Sequence, residues 1–182
     1  MHRDILSDMK RIGIISDTHS FWDDSYMKYF DECDEIWHAG DICDPSIIER
    51  LAAPFGTDSE GNPKQRAVRA VCGNCDGYDL RLMFPEVLRF MCEEVEVLMK
   101  HIGGYPGRYD RSIVEELKTN PPKLFISGHS HILKVMFDKK LNLLHINPGA
   151  AGKQGWQKER TLIRFTIDGS DMRDLEVISL HN

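Results

Sequence analysis

The chain has 182 residues, 41% apolar and 29% charged, with a formal net charge of −6. That length suffices for one domain with a sizeable core that needs no staples. The acidic balance gives no general attraction to nucleic acid or an anionic membrane, and no apolar run reaches the roughly 18 residues of a membrane span.

Residues 1–10 are polar, lack the apolar stretch of a secretory leader and read as a loose lead-in. Ile12-Gly13-Ile14-Ile15-Ser16 predicts a first strand running into Asp17-Thr18-His19. Residues 21–30 predict a helix. Glu35-Ile36-Trp37-His38 predicts a strand into Gly40-Asp41, and residues 46–51 a short helix behind Pro45. Residues 55–65 are polar and hold Gly56, Gly61 and Pro63, so they read as a surface insertion that could border a site. Residues 67–71 predict a strand into Gly73-Asn74-Cys75-Asp76. Residues 86–91 and 95–99 predict adjacent strands joined by a tight acidic turn, the second leading to His101. Residues 103–107 read as a loop. A helix over 111–118 follows, with Asp110 as N-cap and Pro121 as a stop. Residues 124–127 predict a strand into Gly128-His129-Ser130-His131. Two hairpins close the chain, 133–137 with 141–146 and 162–167 with 172–178.

The first half alternates strand and helix, while the second is mostly antiparallel. The predicted fold is α/β, a two-sheet β-sandwich flanked by helices, in one domain over 1–182. Asp17, His19, Asp41, Asn74, His101, His129 and His131 all follow predicted strands. In layered α/β proteins, ligands bind beyond the carboxyl ends of the strands. Three to four ligands fill one metal site, so seven with one shared are enough for two. Asp, Asn and His donors suit Mn, Fe, Ni, Co or Zn better than Ca, which prefers an all-oxygen shell.

In this ordered set the chain resembles the calcineurin-like metallophosphoesterases, in the compact phosphodiesterase branch that also contains the retromer scaffold subunit. The likeness runs from about Arg11 to Phe165 and follows the pattern D-x-H, G-D, G-N-x-D/E, H and G-H-x-H. It implies a two-sheet sandwich with outer helices. It implies one divalent transition metal on Asp17, His19, Asp41 and His131. A second would sit on Asp41, Asn74, His101 and His129, with Asp41 as the bridge. Mn is the first expectation, with Ni, Fe, Co or Zn as alternatives. The resemblance also implies attack on phosphorus by a bridging hydroxide, with Asn74 touching the phosphate and Asp41, Asn74 and His101 as the catalytic set. Two departures stand out. Cys75 replaces the histidine that assists the leaving group in larger relatives, which is common in the compact branch. The segment after His101 reads Ile-Gly-Gly-Tyr-Pro-Gly, without the second histidine of a His-Gly-His pattern.

Single residues also have plain readings. His38 is a packed strand histidine ahead of a role behind the ligands. His145 faces the core or an interface, with substrate contact as the lesser reading. His2 and His181 are terminal and solvated. Asp76 either orients a neighbour or closes an Asx-turn. Trp22, Trp37 and Trp156 belong to the core or an interface. Tyr105, Arg108 and Tyr109 could line the mouth of the site, with Arg108 the best protein cation for a phosphate; Cys75 is the other candidate substrate contact. Cys33, Cys43, Cys72, Cys75 and Cys92 are odd in number and read as free thiols of a reducing cytoplasm. Cys72 and Cys75 have the spacing of half a zinc site, but no second pair follows.

The expected function is metal-dependent hydrolysis of a small phosphoester, a diester ahead of a monoester. No membrane partner is expected, a nucleic-acid partner is disfavoured, and a homo-oligomer is an open expectation. The rivals are a scaffold of the same fold without catalysis and a nuclease.

Overall fold

In the computed structural model, residues 9–180 are described. The expectations for His2, His181 and most of the lead-in lie outside them. The strands are β1 (Lys10–Ile15), β2 (Glu35–His38), β3 (Phe55–Thr57), β4 (Pro63–Lys64), β5 (Ala67–Ala70), β6 (Val87–Cys92) and β7 (Val95–Lys100), followed by β8 (Gly104–Tyr105), β9 (Arg108–Tyr109), β10 (Leu124–Ile126), β11 (Leu133–Asp138), β12 (Leu143–Pro148), β13 (Arg160–Asp168) and β14 (Asp171–Leu180). The helices are α1 (Ser25–Tyr29), α2 (Pro45–Leu51), α3 (Tyr78–Met83) and α4 (Val114–Thr119).

Two five-stranded sheets form, ordered β14-β13-β1-β2-β5 and β11-β12-β10-β7-β6. In the first, β1, β2 and β5 run parallel. In the second, β7, β10 and β12 run parallel. The antiparallel hairpins predicted from the sequence flank these parallel centres.

The strand pleat divides the core. Ile12 and Ile14 of β1, Trp37 of β2, Val97 and Met99 of β7 and Leu124 and Ile126 of β10 meet between the sheets. Ile15 of β1 and Ile36 of β2 face the other way, against Tyr26, Phe30, Ile47, Leu51 and Leu80 from α1, α2 and α3. Leu98 of β7 and Phe125 of β10 cover Ile113 and Leu117 at α4. The layers are therefore helix, sheet, sheet, helix.

Several local expectations need correction. The helix expected over 21–30 shrinks to Ser25–Tyr29. Asp110 caps a turn through the Ser112 N–H (2.9 Å), so α4 begins only at Val114. The helix α3 was not anticipated; of its residues only Leu80 is buried, which leaves no apolar period to read. Residues 55–65 form the exposed β3–β4 hairpin. It sits where Lys64 meets Asp34 at 3.5 Å, at the starting end of β2 and β5, so it lies away from the ends that carry the candidate ligands.

Candidate metal centre

The parallel strands β1, β2 and β5 release the chain at one edge of the first sheet, and β7 and β10 at the facing edge of the second. The turns beyond them are knitted together by backbone. Asp17 N–H donates to Gly40 C=O and His19 N–H to Asp41 C=O, both at 3.0 Å, and Gly128 N–H donates to His101 C=O at 3.0 Å. Asp17, His19, Asp41, His129 and His131 all hold left-handed backbone, with φ of 53°, 46°, 55°, 66° and 59°. Each such residue costs on the order of 1 kcal/mol, and clusters of them mark sites that the surrounding fold over-determines. Two glycines permit the closeness. A Cβ on Gly73 would lie 2.1 Å from Asp41 Oδ1, and one on Gly40 would lie 2.7 Å from the His101 ring.

The side chains converge. Ligand atoms of Asp17, His19 and His131 lie within 4.8 Å of one another, and so do those of Asp41, His101 and His129. Asp41 also groups with His19 and Cys75, which joins the two sets. His131 Nε2 is 3.2 Å from Asp17 Oδ1, and His101 Nε2 is 3.2 Å from Asp41 Oδ2. His19 Nε2 is 3.7 Å from Asp41 Oδ2 and 3.3 Å from His131 Nε2. Asn74 is exposed; its Nδ2 meets Cys75 Sγ at 3.4 Å, and it lines a cavity with His101.

One oxygen of each acid is anchored and the other faces the centre. Asp17 Oδ2 accepts from Ser16 Oγ (2.6 Å) and His129 N–H (3.1 Å). Asp41 Oδ1 accepts from Cys75 N–H (2.8 Å). Asp17 Oδ1 and His101 Nε2, both buried, have no hydrogen-bond partner. Buried polar atoms without partners are costly, and two buried carboxylates side by side are more so. A cation among these atoms would satisfy both. The oxygen and nitrogen donors present therefore fit divalent metals.

The histidines are aimed from behind. His101 Nδ1–H donates to Ala39 C=O (2.7 Å), which directs Nε2 at the centre. His131 Nδ1–H donates to Gln157 Oε1 (3.0 Å), with the same result. Asp76 resolves its two readings: Oδ2 accepts from Asp41 N–H (3.1 Å) and Gly73 N–H (2.7 Å), and Oδ1 from Cys43 N–H (2.7 Å). It therefore clamps the β2 and β5 turns together. His38 is fully buried. Its Nδ1 accepts from Gly40 N–H (3.2 Å) and its Nε2 meets Thr18 Oγ1 (3.0 Å), so it braces the turn between Asp17 and His19.

Electrostatics follow from burial and crowding. Burial pushes the Asp41 carboxyl up, but the neighbouring His101 imidazole and the Cys75 N–H hold it well below the usual range. Burial lowers His19 despite Asp41 and Asp17. His131 is raised by its contact with Asp17 against burial. In His101 burial acts to lower the value, and Asp41 and Asp17 overcome it. The Cys75 thiol is pushed up by burial and by Asp41.

A family model described as the calcineurin-like phosphoesterase superfamily domain matches residues 9–170. The chain belongs to this superfamily. Solved structures of similar fold include a predicted phosphoesterase from Streptococcus pneumoniae, with 21% identity, 94% of this chain and 90% of the other covered, and a TM-score of 0.61. An archaeal phosphodiesterase has 19% identity, 93% and 99% coverage and a TM-score of 0.61. Vps29 from Chaetomium thermophilum has 11% identity, 94% and 97% coverage and a TM-score of 0.68. At these identities the likeness concerns the fold. No curated protein matches the sequence.

Other sequence candidates fall in different places. Trp37 is core and Trp22 packs at its edge, while Trp156 is fully exposed beside His131, outside the core. His145 is buried, with Nε2 3.0 Å from Ser127 Oγ. Tyr105, Arg108 and Tyr109 line a cavity next to His129. Gln157 was missed, since a lone glutamine 26 positions after His131 carries no local signal. All five cysteines are free. Among the described residues no helix is long and apolar enough to cross a membrane.

Proposed function

We propose that this chain is a metal-dependent phosphodiesterase with two divalent transition metals, Mn first and Ni, Fe, Co or Zn as alternatives. Asp17, His19, Asp41 and His131 would hold one, and Asp41, Asn74, His101 and His129 the other. The observation that carries the reading is the pair of unpartnered buried atoms, Asp17 Oδ1 and His101 Nε2, inside a ring of carboxylate and imidazole ligands. When bound, such a pair supplies Lewis acidity, an activated water and charge neutralisation for in-line displacement at phosphorus.

The protein's own groups do the rest. Ala39 and Gln157 hold His101 and His131 in the tautomers that leave Nε2 free. Asp76 and His38 hold the turns that carry the ligands. Asn74, exposed at the cavity wall, would donate an amide hydrogen bond to a phosphoryl oxygen. Cys75, beside Asn74, holds the position that the family resemblance gives to a leaving-group acid.

Turnover of bis(p-nitrophenyl) phosphate, after stripping with chelator and adding back Mn, Ni, Zn or Mg, tests the reading. Activity that vanishes and returns with a transition metal better than with Mg is expected. Two equivalents of bound metal without turnover of any diester would favour a scaffold role instead.

A further inference from the structure

Beside His129 lies a cavity of about 480 Å³, in the size range of small-molecule sites. Its charge runs against that of the molecule. Arg108, Arg111 and Lys134 all line it, in a chain of net charge −6. None of the three has a carboxylate within 4.0 Å among the described residues. The wall also holds one acid, Asp110, which the Ser112 backbone and hydroxyl keep ionised, so three cations face one carboxylate. Three elements bring the cations together. The β8–β9 hairpin sets Arg108 opposite Tyr105, β11 sets Lys134 opposite Asn147, and Arg111 follows β9.

The aromatic surfaces there are already used. Lys134 Nζ sits 3.6 Å from the centre of the Tyr105 ring. Tyr109 packs edge-on to Phe125, and its hydroxyl donates to Asp138 (2.8 Å). The cavity therefore offers little stacking surface to a base. It offers positive charge, with His129 of the metal centre as a shared wall. The Lys134 charge is felt inside the protein too: after burial itself, it is the next cause that lowers buried His145 to about 4.

We propose that this cavity is a subsite for a second phosphate on the substrate. The scissile phosphoester would lie at the metal ligands. One substituent, a sugar or nucleoside, would cross His129 and place a further phosphate among Arg108, Arg111 and Lys134. This rests on the phosphodiesterase reading and narrows it to substrates with one phosphorylated arm. A dianion facing three cations, none in an ion pair within 4.0 Å, gains charge-assisted hydrogen bonds without displacing an existing ion pair.

Calorimetry on the metal-reconstituted protein with thymidine 3′,5′-bisphosphate and thymidine 5′-monophosphate tests the subsite without turnover. Wild type should bind the bisphosphate about tenfold or more tightly, the lower end of what a charge-assisted hydrogen bond supplies. Arg108→Gln with Lys134→Gln should bring the ratio near one, while Lys134→Arg should keep it. The same ratio should appear in kcat/KM for p-nitrophenyl esters of thymidine 5′-phosphate with and without a 3′-phosphate. Equal binding of both nucleotides by wild type overturns the subsite, and so does a preference that survives the double substitution. Failure to hydrolyse either ester would count against the phosphodiesterase reading alone, because the binding ratio still decides the subsite.

Discussion

Gln157 fixes the direction of His131. Its Oε1 accepts from His131 Nδ1 at 3.0 Å, and its own amide nitrogen donates to Gly152 C=O (3.0 Å) and Gln154 C=O (2.8 Å). Those two carbonyls leave only one orientation of the amide, and it presents an acceptor to the imidazole. Gln157→Leu should keep the fold and weaken metal binding at the Asp17–His19–His131 group by about 10–100-fold. Competitive chelator titration measures this; affinity unchanged from wild type would show that the contact is incidental.

Asp41 groups with His101 and His129 and also with His19, so Asp41→Asn, at the proposed bridge, should reduce both metal occupancies together. Asp17→Asn should affect chiefly the group with His19 and His131. Elemental analysis after reconstitution gives the count. A wild-type protein that never exceeds one equivalent would end the two-metal assignment.

Cys75 should govern which leaving groups depart. Its thiol sits 3.4 Å from Asn74 Nδ2, and a thiol is a weaker proton donor there than the imidazolium of larger relatives. Positioned general acids contribute about 10²–10⁴-fold. Cys75→Ala should cost little on a nitrophenyl diester. Cys75→His should gain most on alkyl esters. The measurement is kcat/KM across diesters of graded leaving-group pKa, for wild type and both variants. Loss of nitrophenyl diester turnover in Cys75→Ala with both metals retained would make Cys75 a catalytic participant.

His145 should contribute to acid sensitivity. Burial and Lys134 lower it from 6.5 to about 4 in the folded protein. As pH falls, the unfolded chain takes up the proton first. Stability is therefore full above about pH 6.5 and declines toward pH 4, by up to about 1.4 kcal/mol per pH unit for one proton. Buried His38, also lowered to about 4, adds a slope of the same sign. His145→Asn should be less stable at pH 7, but its stability should fall less steeply over this window. Urea midpoints from pH 7 to 4 read the slope, and identical slopes would remove His145 from the account.

The ligand motifs were legible because each is local. Asp17, Asp41, Asn74 and His129 each follow a short apolar run, which signals a strand and its end. Ile12 and Ile14 alternate with outward Gly13 and Ile15, so the sheet's two covered faces were written into β1 itself. Periodicity reports which side of an element is buried. It does not report which elements meet or at which end. That the turns after β1, β2, β5, β7 and β10 converge depends on the parallel order of strands distant in sequence. The same holds for Asp76 clamping Asp41, Gln157 aiming His131 and three separated cations lining one cavity. The β3–β4 hairpin at the far end of the sheet was misplaced for this reason. Composition identified a polar loop, and only the packing of the sheets decided what it faces.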